Sequence, residues 1–380
     1  MNENSVLCRF LAAHPEDWEE RLSAMGIRMK REGALCIFNY EITADFTLPQ
    51  VQEARGIILN TEKREVVTWP FRKFGNHNES YADEIDWSTA RVQEKVDGSI
   101  VKLWYDESNE KWQFSTNGCI RAERASVNGR LDLTYGELIE KAENYGQIPF
   151  DRLDREETYI FELVSPEAPV VIRYPQTSLI HIGTRNRQTG KERVCDIGIR
   201  RPKEYPLGSL DDCLTAAASL NETEDVTGEG FVVVDAEFRR VKVKSPDYLV
   251  MHRLKHPVGL SAVDCLRLLL EMPERVEATV DANPALAPKI RYYQYRLAEV
   301  LLLADRMGEL ARRLYEEYSH DRRAVAQVIL PHRLAFVGFA CLDREMSGRE
   351  YLCTVPVEKI AKLIPEYEEE DLSRLFVPRK

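Results

Sequence analysis

Residues 94–99 read Glu-Lys-Val-Asp-Gly-Ser and place one lysine, Lys95, just before a tight turn. Asp97 and Gly98 permit the turn backbone, and the apolar run at 100–105 predicts a strand after it. A lysine amine can act as a nucleophile once its surroundings remove its proton. On this fragment alone, however, an ordinary hairpin turn is the favoured interpretation.

Other charged residues lie within or against apolar strands, where burial is costly unless the charge is paired or binds a ligand. Glu162 lies inside one predicted strand, and Glu229 directly precedes another. Lys242 and Lys244 fall on one face of a third strand, because side chains alternate with period two. Two lysines on one face repel each other unless an anion lies between them, and a phosphate fits that need.

Two further cations precede Lys95 in the chain. Arg55 lies in the sequence Glu-Ala-Arg-Gly-Ile-Ile at 53–58, and Lys73 lies in Phe-Arg-Lys-Phe-Gly-Asn at 71–76. Both stand beside apolar residues, so the same argument about the cost of buried charge applies to them.

The elements that must position these residues change in character along the chain. Short apolar runs with strand character, separated by turn signals, fill about residues 33–243, with helical segments only near 134–144 and 210–220. Strands that follow one another without helical crossovers are typical of antiparallel sheets, so this part is predicted to be an α+β domain. Helices are predicted after Pro246, at 262–271, 287–319, 322–330 and 358–364.

The chain length of 380 residues is consistent with two or three domains. We place the boundary between residues 245 and 257, which gives domains at 1–250 and 251–380. Residues 251–380 hold 20 basic and 20 acidic residues, so the net charge of -11 lies entirely in the first 250 residues. This distribution argues against a sequence-independent DNA coat.

Composition also bounds the compartment. With 44% hydrophobic and 30% charged residues, the chain is typical of globular proteins, and no apolar run approaches the ~20 residues of a membrane helix. We expect no secretory signal at the N-terminus. The eight cysteines show neither CxxC nor zinc-ligand spacing, so reduced thiols and a cytoplasmic location are expected.

The order of the charged motifs resembles the covalent nucleotidyltransferase superfamily of polynucleotide ligases and RNA capping enzymes. Residues 95–99 match its nucleophile motif, and 161–162, 229–231 and 242–244 match its later motifs in order. Within the superfamily, the chain is most similar to the phage-type RNA ligase 1 family. That similarity rests on residues 54–57, 73–76 and 117–120, on Ser99, and on the helical rather than OB-like C-terminal region.

The resemblance implies an antiparallel-sheet nucleotidyltransferase domain, an ATP-grasp-like ligase domain, followed by an all-helical domain concerned with RNA specificity. It also implies an ATP-dependent RNA ligase with Mg²⁺ or Mn²⁺. Lys95 would take AMP from ATP, pass it to an RNA 5′-phosphate, and allow an RNA 3′-hydroxyl to seal the join. Repair of broken RNA, with tRNA as a candidate, is the implied role, and any protein partner in repair is left open.

The resemblance assigns roles to the charged residues. A lysine with the ordinary pKa of about 10.4 is protonated at neutral pH, so the site must lower the pKa of the attacking amine. Lys242 and Lys244 are candidates for that effect and for neutralising the α-phosphate. The implied nucleotide and metal contacts are Glu229 toward the metal, Glu162 and Gly98 toward the ribose, Arg55 and Lys73 toward the β- and γ-phosphates, and Glu94 and Val96 beside the nucleophile.

Several alternatives remain open at this point. Arg55 and Lys73 could instead form surface ion pairs with Glu53 or Glu79. A capping guanylyltransferase or a DNA ligase would normally carry an OB-like domain, which the helical C-terminal region opposes, and an inactive RNA-binding relative is the non-enzyme alternative. Candidate RNA contacts, each also typical of a solvated or packed surface, are Arg121, Arg124, Arg185, Arg187, Lys191, Arg193, Arg200, Arg201, Lys203, Arg312, Arg313, Arg322, Arg323, Tyr292, Tyr293 and Tyr295.

Overall fold

The computed structural model describes residues 2–41, 43–127, 130–220, 227–254, 260–271, 273, 276–282 and 286–367. The chain divides into two compact units, Met1–Leu249 and Val250–Lys380. The first unit is built on antiparallel sheets and the second on helices. The predicted α+β fold with a helical C-terminal region is therefore confirmed.

The first unit contains three sheets in its described residues, and every strand pair in them is antiparallel. The strands are β1 (Ile27–Glu32), β2 (Leu35–Tyr40), β3 (Arg55–Asn60), β4 (Glu65–Thr68), β5 (Arg91–Glu94), β6 (Ser99–Asp106), β7 (Lys111–Thr116), β8 (Glu157–Val164), β9 (Ser178–Asn186), β10 (Glu192–Arg193), β11 (Glu204–Tyr205), β12 (Gly230–Val234) and β13 (Arg240–Lys244). Their spatial orders are β1-β2-β3-β4, β10-β9-β8-β6-β7 and β11-β5-β12-β13.

Aromatic and β-branched residues dominate the central strands, as expected for strands buried on both faces. In β8, the residues read Glu-Thr-Tyr-Ile-Phe-Glu-Leu-Val, and seven of the eight are buried. The exception is Glu162, which is only half-buried. A carboxyl side chain therefore remains partly accessible in an otherwise closed strand.

Helices cover the outside of these sheets in the first unit. The segment before residue 33, in which no element was predicted, forms two short helices and β1, and its first helix is capped by Ser5, whose Oγ accepts from the Cys8 N–H. The helices are α1 (Val6–Ala13), α2 (Trp18–Ala24), α3 (Pro49–Glu53), α4 (Tyr135–Glu140), α5 (Leu210–Ala218) and α6 (Pro246–Leu254), the last of which crosses the limit between the units.

The second unit packs around one long helix. Its helices are α7 (Ala262–Glu271), α8 (Val276–Ala282), α9 (Ala287–Glu317), α10 (Arg322–Ile329), α11 (Ala335–Asp343), α12 (Gly348–Cys353) and α13 (Val357–Ala361). The predicted period of 3.6 in α9 is confirmed by its buried face, which includes Ile290, Leu297 and Ala304. α11 had no predicted counterpart, because its residues are apolar on all sides and give no periodic signal.

Two of the three tyrosines of α9 suggested as RNA contacts are core residues. Tyr292 and Tyr293 are each 1% exposed and pack edge to face against each other. The suggestion that Tyr292 stacks on RNA bases is therefore wrong, because the ring is buried, and among these tyrosines only Tyr295 is exposed. In the described ranges, no helix has both the length and the apolar character needed to cross a membrane.

Candidate active site

Strand pairing in the third sheet brings the nucleophile motif to the later motifs. Lys95 directly follows β5, and its backbone N–H donates to the Gly230 carbonyl at 2.9 Å. Gly230 opens β12 and lies opposite Lys244 of β13. Glu229, which precedes Gly230, thus lies beside both lysines, although Lys95 is 134 residues away in the sequence.

One carboxylate is shared by two ammonium groups at this point. Glu229 Oε2 accepts from Lys95 Nζ at 2.6 Å, and Glu229 Oε1 lies 2.8 Å from Lys244 Nζ. The Glu229 side chain is 3% exposed, whereas each lysine side chain is 19% exposed. Burial by itself would raise the pKa of Glu229, but the two lysines outweigh burial and hold that pKa below its usual value. Glu229 is therefore a buried anion, whereas the two lysine side chains remain partly exposed.

Glu162 lies on the other side of the Lys95 turn. It is paired with Ile100 across β6 and β8, and its Oε1 accepts from the Gly98 N–H at 3.2 Å. Burial raises the pKa of Glu162 to about 7, and Glu229 acts in the same direction, while Lys95 and Arg55 oppose the shift. This carboxyl group can therefore change its charge near neutral pH.

Gly98 is required by close packing at this turn. A Cβ atom there would lie 2.4 Å from the Leu163 carbonyl oxygen of β8. The glycine of the motif thus allows the turn to approach the strand that carries Glu162.

A second cluster contains three cations, and two of them, Arg55 and Lys242, lie over the ring of Phe74. The Lys242 Nζ lies 4.7 Å from the ring centre, and the Arg55 guanidinium carbon lies 5.3 Å from it. Residues 73–76 run beside β13, because the Lys242 N–H donates to the Gly75 carbonyl at 3.0 Å. Lys73 belongs to this cluster through its charge, which acts on Lys242.

This group of like charges forms no direct ion pair in the described part of the chain. Arg55, Lys73 and Lys242 have no carboxylate within ion-pair distance there, and Glu162 and Glu79 attract Arg55 and Lys73 only from a longer distance. Burial, followed by repulsion from Arg55, Lys73, Lys95 and Lys244 in that order, lowers the pKa of Lys242 to about 6. An anionic ligand would relieve this repulsion.

The alternative ion pairs for Arg55 and Lys73 are not formed in the described residues. Glu53 is buried and accepts from the Ser5 hydroxyl and the Leu7 N–H, so it serves the N-terminal helix instead. Lys73 Nζ lies over the ring of Phe46, 4.7 Å from its centre.

Three residues around the nucleophile turn were not singled out from the sequence. The carboxylate of Asp97, which the sequence suggested only as a turn former, accepts from the Val171 and Ile172 N–H groups at 2.7 Å each. It also accepts from the Tyr248 hydroxyl at 2.6 Å, while the Asp97 N–H donates to the Tyr174 hydroxyl. These contacts clamp the turn from two distant segments, and no local pattern signals the two tyrosines.

The two candidate nucleotide contacts beside Lys95 serve the framework in this structure. Val96 is buried and packs with Val164 and Ile180. Glu94 pairs with Phe231 of β12, and its Oε2 accepts weakly from the Lys203 N–H at 3.4 Å.

Several arginines suggested as RNA contacts are engaged inside the first unit. Arg121 bridges Glu32 and Asp106 at 2.6 and 3.0 Å, and its side chain is only 13% exposed. Arg185 stacks on Trp69 and donates to backbone carbonyls, and Arg187 pairs with glutamates. These three guanidinium groups are used in contacts within the first unit, so their positive charge can be explained without RNA.

The carboxylates beside Lys95 limit how a divalent cation could be held. No cluster of three or more metal-ligating side chains occurs within the described residues. Glu229 offers hard oxygen donors, and Glu162 lies close by, so the donor set fits a cation that takes most of its ligands from phosphate oxygens and water.

Comparisons with known proteins give consistent similarities. A family model described as RNA ligase matches residues 53–257. The chain is 30% identical over 290 residues to a putative bifunctional polynucleotide kinase/RNA ligase of Autographa californica nuclear polyhedrosis virus, covering 68% of this chain and 40% of that protein. It is 29% identical over 305 residues to the RNA ligase of Rhodothermus phage RM378, covering 63% of this chain and 69% of the phage protein.

A solved archaeal ATP-dependent RNA ligase is similar at 13% identity with a TM-score of 0.44, covering 88% of this chain and 81% of that one. The chain thus spans well under half of the viral relative and about two thirds of the phage relative.

Proposed function

Because the chain belongs to the RNA ligase family, we propose that it is an ATP-dependent RNA ligase acting through a lysyl-AMP intermediate. The observation that carries the proposal is the position of Lys95. Its amine contacts Glu229 at 2.6 Å and is bordered by Lys244 and by the cluster of Arg55, Lys73 and Lys242. An amine beside a cluster of cations that form no direct ion pairs is suited to attack a bound polyphosphate.

In the first step, the Lys95 ammonium gives up a proton to solvent and the neutral amine attacks the α-phosphorus of ATP, forming an N–P bond while the bond to pyrophosphate breaks. Glu229 orients the amine, and Lys244 is held by the same carboxylate on the other side. Lys242 faces the developing negative charge. Such preorganised charges stabilise a phosphoryl transition state because they need not reorganise during the reaction.

The remaining site residues bind the nucleotide. Arg55 and Lys73 are proposed to hold the β- and γ-phosphates, and Glu162 to accept from a ribose hydroxyl next to Gly98. A Mg²⁺ or Mn²⁺ ion, when bound, would neutralise phosphate charge, with Glu229 as the protein carboxylate nearest to it.

The later steps define the RNA substrate. AMP passes from Lys95 to an RNA 5′-phosphate, and an RNA 3′-hydroxyl then displaces AMP to form the phosphodiester. We propose repair of broken RNA as the setting, with tRNA as one candidate, because the names of the similar proteins include RNA ligase and a combined kinase and ligase.

The test is incubation of the full-length protein with ATP or GTP labelled at the α-phosphorus, followed by a denaturing gel. We expect ATP to label the wild type, Lys95→Ala to remain unlabelled, and the exposed-lysine control Lys111→Ala to label normally. Labelling by GTP rather than ATP would point to a capping guanylyltransferase. Absence of label in the wild type, or label in Lys95→Ala, would exclude the proposed intermediate.

A further inference from the structure

Lys102 is a buried lysine that the proposed chemistry does not use. It lies in β6, paired with Ser115 of β7 and Ile160 of β8, and its exposed fraction is 0%. A charged group in a closed core costs free energy unless it is well compensated. An apolar side chain of similar length would pack there at lower cost, so stability alone does not explain the lysine.

The ammonium of Lys102 has only neutral acceptors. Its Nζ donates to the Thr116 carbonyl at 2.7 Å, the Gly56 carbonyl at 2.9 Å and, at 3.5 Å, the Asn117 side-chain oxygen. These contacts use its three donors. The charged or titratable groups that act on it are Arg55 and Cys119, and no carboxylate among the described residues forms an ion pair with it.

The contact with Gly56 joins two different sheets. Gly56 belongs to β3 in the first sheet, whereas Lys102 and Thr116 belong to the second. Phe38 pairs with Ile57 but Asn39 pairs with Arg55, so Gly56 is the extra residue of a β-bulge. A bulged residue lies outside the regular ladder, and Lys102 supplies a donor to its carbonyl.

Position 56 requires glycine, because of both its backbone conformation and its close neighbours. Its φ is +79°, and a Cβ atom would lie 2.8 Å from Lys102 Nζ and 2.9 Å from the Asn117 Cα. The residue before it is Arg55, whose guanidinium lies over Phe74 beside Lys242. Arg55 thus directly adjoins the bulged residue whose carbonyl Lys102 contacts.

We propose that Lys102 is a positioning residue that ties the Gly56 bulge to the end of β7 and thereby aims Arg55 at the bound polyphosphate. The role rests on the proposed ligase function, in which Arg55 contacts the β- and γ-phosphates of ATP. Burial, followed by Arg55, lowers the pKa of Lys102 to about 7, which is consistent with an ammonium kept in the core at a cost.

The test measures lysyl-AMP formation in single turnover as a function of ATP concentration, in the full-length protein. The variants are Lys102→Met, Arg55→Ala and their combination, with the exposed Lys111→Met of β7 as the matched control. We expect Lys102→Met to raise the half-saturating ATP concentration by about tenfold with a smaller change in the maximal rate. The double variant should bind ATP no worse than Arg55→Ala alone.

Two results would overturn the proposal. One is an unchanged ATP dependence in a folded Lys102→Met protein, and the other is independent, multiplicative effects of the two substitutions. If Lys102→Met fails to fold, Lys102→Leu and Lys102→Ala, which also remove the donor, carry the same measurements and the same criteria. A wild type that takes no label would instead refute the ligase function, so the two failures are distinguishable.

Discussion

At the scale of single residues, the site is organised by which charges find partners. Glu229 compensates Lys95 and Lys244, whereas Arg55, Lys73 and Lys242 lack a carboxylate partner within ion-pair distance among the described residues.

Glu229→Gln keeps the shape of the side chain but removes its charge. We expect it to slow lysyl-AMP formation by at least about 100-fold, the scale for loss of a preorganised charge at a phosphoryl centre. Rapid-quench labelling with saturating ATP and Mg²⁺ measures this rate, and a near-wild-type value would contradict the role.

Lys242 offers a second prediction, in which activity and stability change in opposite directions. The pKa of Lys242 is about 6 in the folded protein, compared with 10.5 for the free side chain. Between those pH values, Lys242 is protonated in the unfolded chain but largely neutral in the folded protein. The cost of the buried charge is greatest below about pH 6 and disappears toward pH 10.5. Lys242→Met should therefore melt at a higher temperature than the wild type at pH 6, with a difference that shrinks as the pH rises.

The same Lys242→Met protein should lose lysyl-AMP formation by about 100-fold or more, because the phosphate-facing cation is gone. Thermal melts across the pH range and labelling assays on one preparation test both parts. The exposed Lys111→Met protein should show neither effect. A Lys242→Met protein less stable than the wild type at pH 6 would show that burial of this charge is not costly.

At the scale of elements, the hairpin of β12 and β13 positions the charged pair. Gly230 has a φ of +135°, and a Cβ atom there would lie 2.1 Å from the Val243 carbonyl oxygen. Gly230→Ala should therefore spread the hairpin, separate Glu229 from Lys244, and reduce the free energy of unfolding by about 2 kcal/mol or more. Denaturant unfolding and ATP labelling are the measurements.

Gly146→Ala is the matched control for that substitution, because a Cβ atom at Gly146 meets nothing within 4 Å and its φ is not in the left-handed region. It should unfold and label like the wild type. Equal behaviour of the two variants would mean that the hairpin tolerates a side chain, and that its close approach does not set the Glu229 geometry.

At the scale of the whole molecule, the candidate site lies within one of the two units. Residues from Arg55 to Lys244 belong to Met1–Leu249, and that unit has its own buried clusters, as does the helical unit. A protein ending at residue 257 should therefore still form lysyl-AMP at a rate within about tenfold of the full chain, since the chemistry requires only preorganised local charges.

The same shortened protein is expected to lose discrimination between a nicked stem-loop and a linear RNA, because orientation of a large RNA depends on many weak contacts. The test is the ratio of the sealing rate for the nicked stem-loop to that for the linear RNA, measured in the shortened protein and in the full chain. An unchanged ratio would assign the helical unit a structural role. A folded but unlabelled fragment would show that the helical unit completes the nucleotide site.

The sequence by itself determined the family and the outline of the fold. The nucleophile motif, the later motifs and their order are local features, and the match to the RNA ligase family model over residues 53–257 confirms that assignment. Strands with dense β-branched residues and the periodic face of Ala287–Glu317 could also be predicted, because neighbouring residues alone establish those patterns.

Only the tertiary structure decided which partner each charge has. Lys95 and Glu229 are 134 residues apart, and Asp97 and Tyr248 are 151 residues apart. The first contact depends on β5 pairing with β12, and the second depends on the Tyr248 segment lying against the turn at Asp97. Neither arrangement can be predicted from a local sequence pattern. Lys102 makes the same point, since an alternating strand pattern cannot indicate that an ammonium will be enclosed by carbonyl oxygens from two sheets. Such pairings arise from packing between distant segments, which is where the free energy of a buried charge is determined.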